Sequence, residues 1–349
     1  MLTKDFDYHL PPELIAQRPA PRRELSRLML VRRAGGEILH YRASDLPSLL
    51  RAGDLMVLND TRVIPARIFG RKRKTGGKAE ILFIEEREKN TWEVLLHSSG
   101  RSAPGDILLL AGDKMEACVK STGARGRALL ELRGDHDLMK ILEEEGLPPL
   151  PPYIKRTKNE SAFQRQLDRE RYQTVYAKTP GAIAAPTAGL HLSNELLAAL
   201  EKTGVQRASV TLHVGPGTFV PVRSEKIAGH KMESERFIIL PEAAAAVNNA
   251  RAGRRRIVAV GTTVVRALES AAGSEEMIAP GRGRTDIFIH PPYCFKIVSA
   301  LLTNFHLPRS TLLMLVSAFA GRALVRRAYE IAVREKYRFY SYGDCMLIV

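Results

Sequence analysis

With 349 residues, 45% of them hydrophobic, the chain has the material for a sizeable core and for more than one domain. No run of about 18 uncharged apolar residues occurs; the opening MLTKDFDYHLPPEL carries acids and prolines where a secretory leader needs an apolar core, so no membrane span or export is expected and the address reads as cytoplasmic. Lys and Arg number 53 against 38 Asp and Glu, a net +15, which favours a polyanionic partner because neutralising phosphates releases counterions.

From about Arg62 to Arg133 the chain reads as short strands broken by glycine or charge: ARIFGRK, KAEILFIEE, TWEVLLHSS, GDILLLAG, KMEACVKS and GRALLELRG. That spacing, with no helix pattern inside it, predicts a small antiparallel β-barrel. The stretch opens on a basic run of Arg62, Arg67, Arg71, Lys72, Arg73, Lys74 and Lys78 with no acid among them, and Arg251, Arg254, Arg255 and Arg256 form a second knot. Nucleic acid fits these runs better than a membrane, since no basic amphipathic helix with an aromatic face accompanies them; either run alone is equally a solvated loop. A helix over DHDLMKILEEEG follows, and GLPPLPPYIKR marks a rigid boundary. Residues 62–149 thus read as a barrel inserted into an α/β domain assembled from 1–61 and 150–349.

After Pro180 helix-like and strand-like runs alternate: helix SNELLAALEKTG, strand VQRASVTLH, helix PEAAAAVNNARAG, strand RRIVAVGTT, helix TVVRALESAAG and strand TDIFIH. Ser193 is placed as an N-cap, Gly204 as a stop and Pro241 at a first helical position. The helix STLLMLVSAFAG and strand DCMLIV complete the α/β domain, with NDTRVIPAR entering it from the far side of the insertion. Cys118, Cys294 and Cys345 are widely spaced without CxxC, so neither disulfides nor a zinc cluster is expected and the thiols should simply pack.

Polar groups and glycines coincide in four loops: Asn59-Asp60-Thr61-Arg62, Pro186 to His191, Leu212 to Phe219, and Thr303 to Pro308. Strand ends of this kind are where α/β folds commonly build ligand sites. Gly215-Pro216-Gly217 lacks the GxGxxG spacing and Thr75-Gly76-Gly77-Lys78 lacks the full P-loop pattern, so neither nucleotide motif is assigned. His191, His213 and His306 are each a proton carrier or a structural hydrogen-bonder. HExxH pairing is missing, and no metal is expected. Arg266, following Val260-Gly261-Thr262-Thr263, either grips a carboxylate or phosphate or is a solvated helix charge.

In these same loops the sequence resembles the S-adenosylmethionine:tRNA ribosyltransferase-isomerase family of queuosine synthesis. The matching stretches are Leu14-Ile15-Ala16-Gln17 with Arg27-Leu28-Met29, LNDTRVIPAR, PLPPYIKR, RYQTVYAKTPGAIAAPTAGLH, TLHVGPGTFVPV, VGTTVVRALE, TNFHLPRSTLLMLVSAFAG and YRFYSYGDCMLIV, in one order from residue 14 to the C-terminus. It departs from the family pattern at Glu233, where histidine is usual, at Pro292 in place of glycine, and at Cys345 in place of alanine.

The resemblance implies transfer of the ribosyl portion of S-adenosylmethionine to the aminomethyl group of a 7-deazaguanine (preQ1) at the tRNA wobble position. Rearrangement then gives epoxyqueuosine, with adenine and methionine leaving. The donor is a consumed substrate, no metal or redox cofactor is implied, and a monomer is expected. Within that chemistry His213 is the first candidate for proton transfer, with His191 and His306 next. Asp60 and Glu235 are candidates to hold the sulfonium or the amine. Arg266 or Arg309 would grip the methionine carboxylate, with Thr262 and Thr263 as further donors. Asn59, Arg62, Thr187, Gly189, Gly215, Gly217, Thr218 and Asn304 join them as substrate-binding candidates. Phe219, Phe305 and Tyr293 are candidate stacking surfaces for a splayed base. Arg67, Arg71, Lys72, Arg73 and Lys74 would grip anticodon-stem phosphates. Two other readings stay open at this level: an S-adenosylmethionine-dependent RNA methyltransferase, and a non-catalytic RNA-binding protein.

Overall fold

The computed structural model describes residues 1–135, 137–156, 161–215, 217, 222, 224–273 and 277–349. In chain order the strands are β1 (Arg27–Val31), β2 (Ile38–Arg42), β3 (Leu55–Asn59) and β4 (Thr61–Val63), then β5 (Arg67–Lys72), β6 (Lys78–Glu88), β7 (Thr91–Ser98), β8 (Ile107–Leu110), β9 (Met115–Thr122) and β10 (Arg127–Arg133). They continue with β11 (Thr179–Ala182), β12 (Gln206–Leu212), β13 (Glu235–Ile239), β14 (Ile257–Val260), β15 (Gly281–Thr285), β16 (Ala300–Asn304) and β17 (Cys345–Ile348). The helices are α1 (Leu46–Leu49), α2 (Leu138–Glu145), α3 (Ala162–Arg171), α4 (Asn194–Lys202), α5 (Pro241–Ala252), α6 (Thr262–Ala271), α7 (Thr311–Ala320) and α8 (Arg322–Arg334).

Strands β5 to β10 close into a barrel in the order β10-β7-β6-β5-β8-β9. Period-two alternation turns Ala79, Ile81 and Phe83 of β6 and Ala128, Leu130 and Leu132 of β10 into its core, while their neighbours face outward. Closure removes the unpaired edges that an open six-stranded sheet would expose.

The remaining large sheet has nine strands in the order β15-β13-β12-β3-β14-β16-β17-β1-β2. Its central strands β3, β14 and β16 are buried along their whole length, as expected of parallel strands covered on both faces. Leu55 and Val57 join the core cluster beneath α5 to α8, whereas Met56 and Leu58 join the one beneath α4, so adjacent residues of one strand serve opposite layers. Helix starts follow local chemistry: the side chains of Ser193 and Ser310 accept from the amides of Leu196 and Leu313, and Pro241 opens α5. The α/β architecture with an inserted antiparallel barrel is the one the sequence predicts. No helix among the described residues is long and apolar enough to cross a membrane.

The edge strand is not TDIFIH but the preceding GRGRT, β15. Pairing decides this: β13 places Phe237 opposite Gly283 and Glu235 opposite Thr285, and a residue with poor strand propensity is accepted where the partner's register requires it. Cys118 and Cys345 are packed as expected, but Cys294 is exposed.

Candidate functional site

Strands β12, β3, β14 and β16 run parallel, so their C-terminal ends meet along one edge, where sheets of this kind open a crevice. Asn59 ends β3, His213 follows β12, Gly261 and Thr262 follow β14, and Asn304 ends β16. β13 returns antiparallel to β12 and delivers its first residue, Glu235, to the same edge.

Two cavities open along this edge and share Val214 in their walls. The first is lined by Thr187, Thr262, Thr263, Asn304, His306 and Tyr340 among others, and among the described residues no Asp, Glu, Lys or Arg lines it. The second lies between barrel and sheet. The barrel gives it Glu85, Arg87, Glu93 and Arg127; the α/β domain gives it Gly181, His213, Gly215, Glu233, Glu235, Arg236 and Arg284.

In the charged cleft His213 Nδ1 lies 2.9 Å from Thr61 Oγ1. Gly181 stands against its ring at φ +141°, where a Cβ would come within 2.8 Å of ring atoms, so only glycine admits the imidazole here. Burial first, and the Arg236 charge second, lower the His213 pKa to about 4 against the opposing pull of Glu85. The ring is neutral near pH 7 and able to accept a proton. Asp60, at the neighbouring strand end, accepts from the Thr211 hydroxyl at 2.5 Å. Glu235, 6% exposed, is ion-paired with Arg266, 4% exposed, and accepts from the Gly215 amide at 2.9 Å. Across the cleft, burial works against ionisation of Glu93, but hydrogen bonds from Arg87 and Arg127 outweigh it and hold the carboxyl below its usual range. Arg127 also reaches Glu233 at 2.6 Å, and Arg236 and Arg284 reach Glu85 at 3.2 and 3.3 Å, so ion pairs tie the barrel to the sheet. Glu233, the departure from the family pattern, is therefore an interdomain contact; its carboxylate lies beside Gly217.

Several expected ligand contacts prove to be internal. Asn59 is wholly engaged: its amide donates to Leu212 O (3.0 Å) and Thr263 Oγ1 (3.3 Å), and its carbonyl accepts from the amides of Leu212 (2.9 Å) and Thr61 (3.2 Å). It clamps strand ends together. Arg266 is held by Glu235 and the Thr285 carbonyl, and exposed Arg309 is paired with Asp7 and lines neither cavity. Gly189 makes room for Tyr176, whose hydroxyl would lie 1.9 Å from a Cβ. Phe305 is packed among Tyr329, Tyr337 and Phe339 with no exposed ring face, and Tyr293 donates to Glu269. Exposed Arg62 stands 3.6 Å from Glu143, beside neither cavity. Thr218 and Phe219 lie outside the described residues.

His306, in the uncharged cavity, meets Thr303 Oγ1 at 2.8 Å; His191, behind it, meets Asn304 Nδ2 at 3.0 Å. Burial lowers both to a pKa of about 3, helped at His191 by Arg23 and Arg338. At rest none of the three histidines supplies an imidazolium acid near pH 7.

The basic run on the barrel meets acids that the linear order concealed. Arg67 faces Glu80 at 3.6 Å and Lys72 faces Asp106 at 3.7 Å, while Arg71 pairs with Asp113 and Arg73 with Glu116; Lys74 is exposed. Residues that sequence reasoning left unassigned include the charged group on the barrel and the aromatics Tyr153 and Tyr340. The aromatics had a signal, since they lie within PLPPYIKR and YRFYSYGD; the barrel's charges had none.

The family model described as Queuosine biosynthesis protein matches residues 3–348. An S-adenosylmethionine:tRNA ribosyltransferase-isomerase of Pelobacter propionicus is 51% identical, covering 100% of both chains. Its namesake in Thermus thermophilus is 51% identical over 99% of this chain and 98% of its own. The crystal structure of S-adenosylmethionine tRNA ribosyltransferase from Thermotoga maritima matches with TM-score 0.56 and 37% identity, covering 99% of this chain and 100% of that one. With its motifs gathered at one sheet edge and its full length matched, the chain belongs to the S-adenosylmethionine:tRNA ribosyltransferase-isomerase family of queuosine biosynthesis.

Proposed function

We propose that this protein moves the ribosyl portion of S-adenosylmethionine onto the aminomethyl group of a 7-deazaguanine at the tRNA wobble position and isomerises it to the epoxide-bearing cyclopentane. The observation that carries the reading is the pairing of an uncharged cavity with a charged cleft that share a wall at the strand ends. A donor with a neutral nucleoside and a cationic sulfonium needs that division, and so does a cationic base arriving from an RNA.

The sulfonium acidifies the adjacent C5′ hydrogen, and a positioned neutral base can remove it. His213 is that base: it is neutral, held by Thr61 and set in the charged cleft. Asp60 and Glu235 bring negative charge to the same edge, with Glu235 orienting Arg266. As the sugar ring opens adenine leaves, protonated by the imidazolium that His213 became in the first step; the tRNA ammonium gives up a proton to a carboxylate at this edge and, as the neutral amine, adds to the sugar's first carbon. Carbon–carbon closure and displacement of methionine by an oxygen complete the product. The donor is consumed, so the reaction calls for no resident cofactor. The barrel's outer basic residues, Lys74 and Arg73 among them, supply the tRNA phosphate contacts.

Incubating the protein with ribose-labelled donor and tRNA bearing the aminomethyl deazaguanine tests this. Sugar label in tRNA with stoichiometric free adenine is expected. Methyl label entering tRNA would replace the reading with a methyltransferase, and tRNA binding without donor consumption would replace it with a binding module. His213→Ala is expected to cut turnover far more than tRNA affinity.

A further inference from the structure

Two residues that line the uncharged cavity each carry a buried polar atom with no partner: Asn304 Oδ1 and the Tyr340 hydroxyl. Asn304 is not free to turn. Its Nδ2 donates to His191 Nε2 at 3.0 Å and to the Tyr340 carbonyl at 3.1 Å. A carbonyl can only accept, so a flipped amide would set oxygen against oxygen; the orphaned atom is therefore the acceptor. The Tyr340 ring is stacked on Tyr153, centroids 4.4 Å apart at 22°, and Tyr153 is itself fixed by a 2.6 Å bond between its hydroxyl and Ser341 Oγ. An acceptor and a donor thus stand on joined residues, rigidly held, in a cavity whose described lining has no charged side chain. Native proteins rarely leave such groups unpaired, because each forfeits its bonds to water on burial.

The complement of this pair is a neutral heterocycle presenting a donor next to an acceptor, as the amino group and adjacent ring nitrogen of a 6-aminopurine do. The methionine carboxylate offers only acceptors. The ammonium, the sulfonium and the aminomethyl group of the tRNA base are cations, and the carboxylates stand in the neighbouring cleft instead. We propose that the uncharged cavity is the adenine pocket of the donor, with Asn304 Oδ1 accepting from the exocyclic amine and the Tyr340 hydroxyl donating to the adjacent ring nitrogen. The proposal rests on the donor assigned above and adds the residues that select its base. His191 acts through Asn304 as a positioning residue, holding the amide in the reading orientation.

The test measures binding of S-adenosylmethionine, adenosine and inosine to the full-length protein by calorimetry, and repeats it on Asn304→Ala and Tyr340→Phe. Inosine carries a 6-oxo acceptor where the site requires a donor, so the wild type is expected to bind it about tenfold to a hundredfold more weakly than adenosine. In each variant that ratio is expected to fall towards one. A role in folding alone would weaken both nucleosides equally and leave the ratio unchanged, and that result would overturn the proposal while leaving the reaction intact. Failure of the wild type to bind either S-adenosylmethionine or adenosine would overturn the donor assignment as well. Should Asn304→Ala lose its fold by circular dichroism, Tyr340→Phe, which keeps the ring, decides the matter.

Discussion

Buried histidines give this fold a calculable weakness towards acid. His191 and His306 titrate at about 3 in the folded chain, against 6.5 for an unperturbed imidazole, because burial penalises the charged ring. A histidine whose folded pKa lies below its unfolded one contributes its full stabilisation above about pH 6.5, and loses it as the pH falls towards the folded value. At about pH 5 the unfolded chain has taken up the proton and the folded chain has not. The gap of about 1.5 units costs about 2 kcal/mol per histidine at roughly 1.36 kcal/mol per unit. Together the pair withdraws about 4 kcal/mol, a large share of a typical 5–15 kcal/mol stability. Urea unfolding followed by circular dichroism at about pH 7.5 and about pH 5 reads the difference. The informative variant is His306→Gln, which keeps a hydrogen-bonding partner for Thr303 but cannot titrate. Its pH-dependent loss is expected to be about 2 kcal/mol smaller than that of the wild type, whatever constant penalty the substitution adds. An unchanged difference between the two pH values would refute the reasoning.

Glu235→Ala strands the Arg266 guanidinium in a site 4% exposed, and about 3–5 kcal/mol of unfolding free energy should go with it; a loss under about 1 kcal/mol would mean that the pair is not desolvated as described. Gly181→Ala drives a methyl group into the His213 ring, so turnover should drop at least about tenfold by displacement of the imidazole, while the far-ultraviolet spectrum stays native. Charge reversal at Arg73 and Lys74 should weaken tRNA binding and lower the slope of log affinity against log salt by about 0.7–0.9 for each phosphate contact removed. An unaltered slope would move the phosphate path away from this part of the barrel.

Much of the architecture was legible because it is encoded over a few residues at a time. The barrel strands announce themselves by alternation, as in Ala79, Ile81 and Phe83, and the helix starts by a capping serine or a leading proline. The strand-end loops were legible as motifs, and strand pairing does assemble them at one edge: parallel pairing brings His213, Thr262 and Asn304, and the antiparallel return of β13 brings Glu235. The misplacement of β15 shows the limit: propensity favours the apolar TDIFIH, but the ladder to β13 selects GRGRT.

Roles were decided at long range. Arg266 looked available on its helix until Glu235, 31 positions earlier, captured it, and Arg71 looked unopposed until Asp113, 42 positions later, came across the barrel. Asn59 had the chemistry of a ligand contact and spends it on Leu212, Thr61 and Thr263. By itself the sequence determined the class of fold, the charge that suits an RNA and the loops where chemistry is carried, since periodicity, composition and caps are local or additive. Only the tertiary structure decided which of those polar groups are consumed by one another and which stay unpaired, and it alone separated an uncharged cavity from a charged cleft. Those outcomes depend on which distant strand end each side chain meets, and no window along the chain contains both partners.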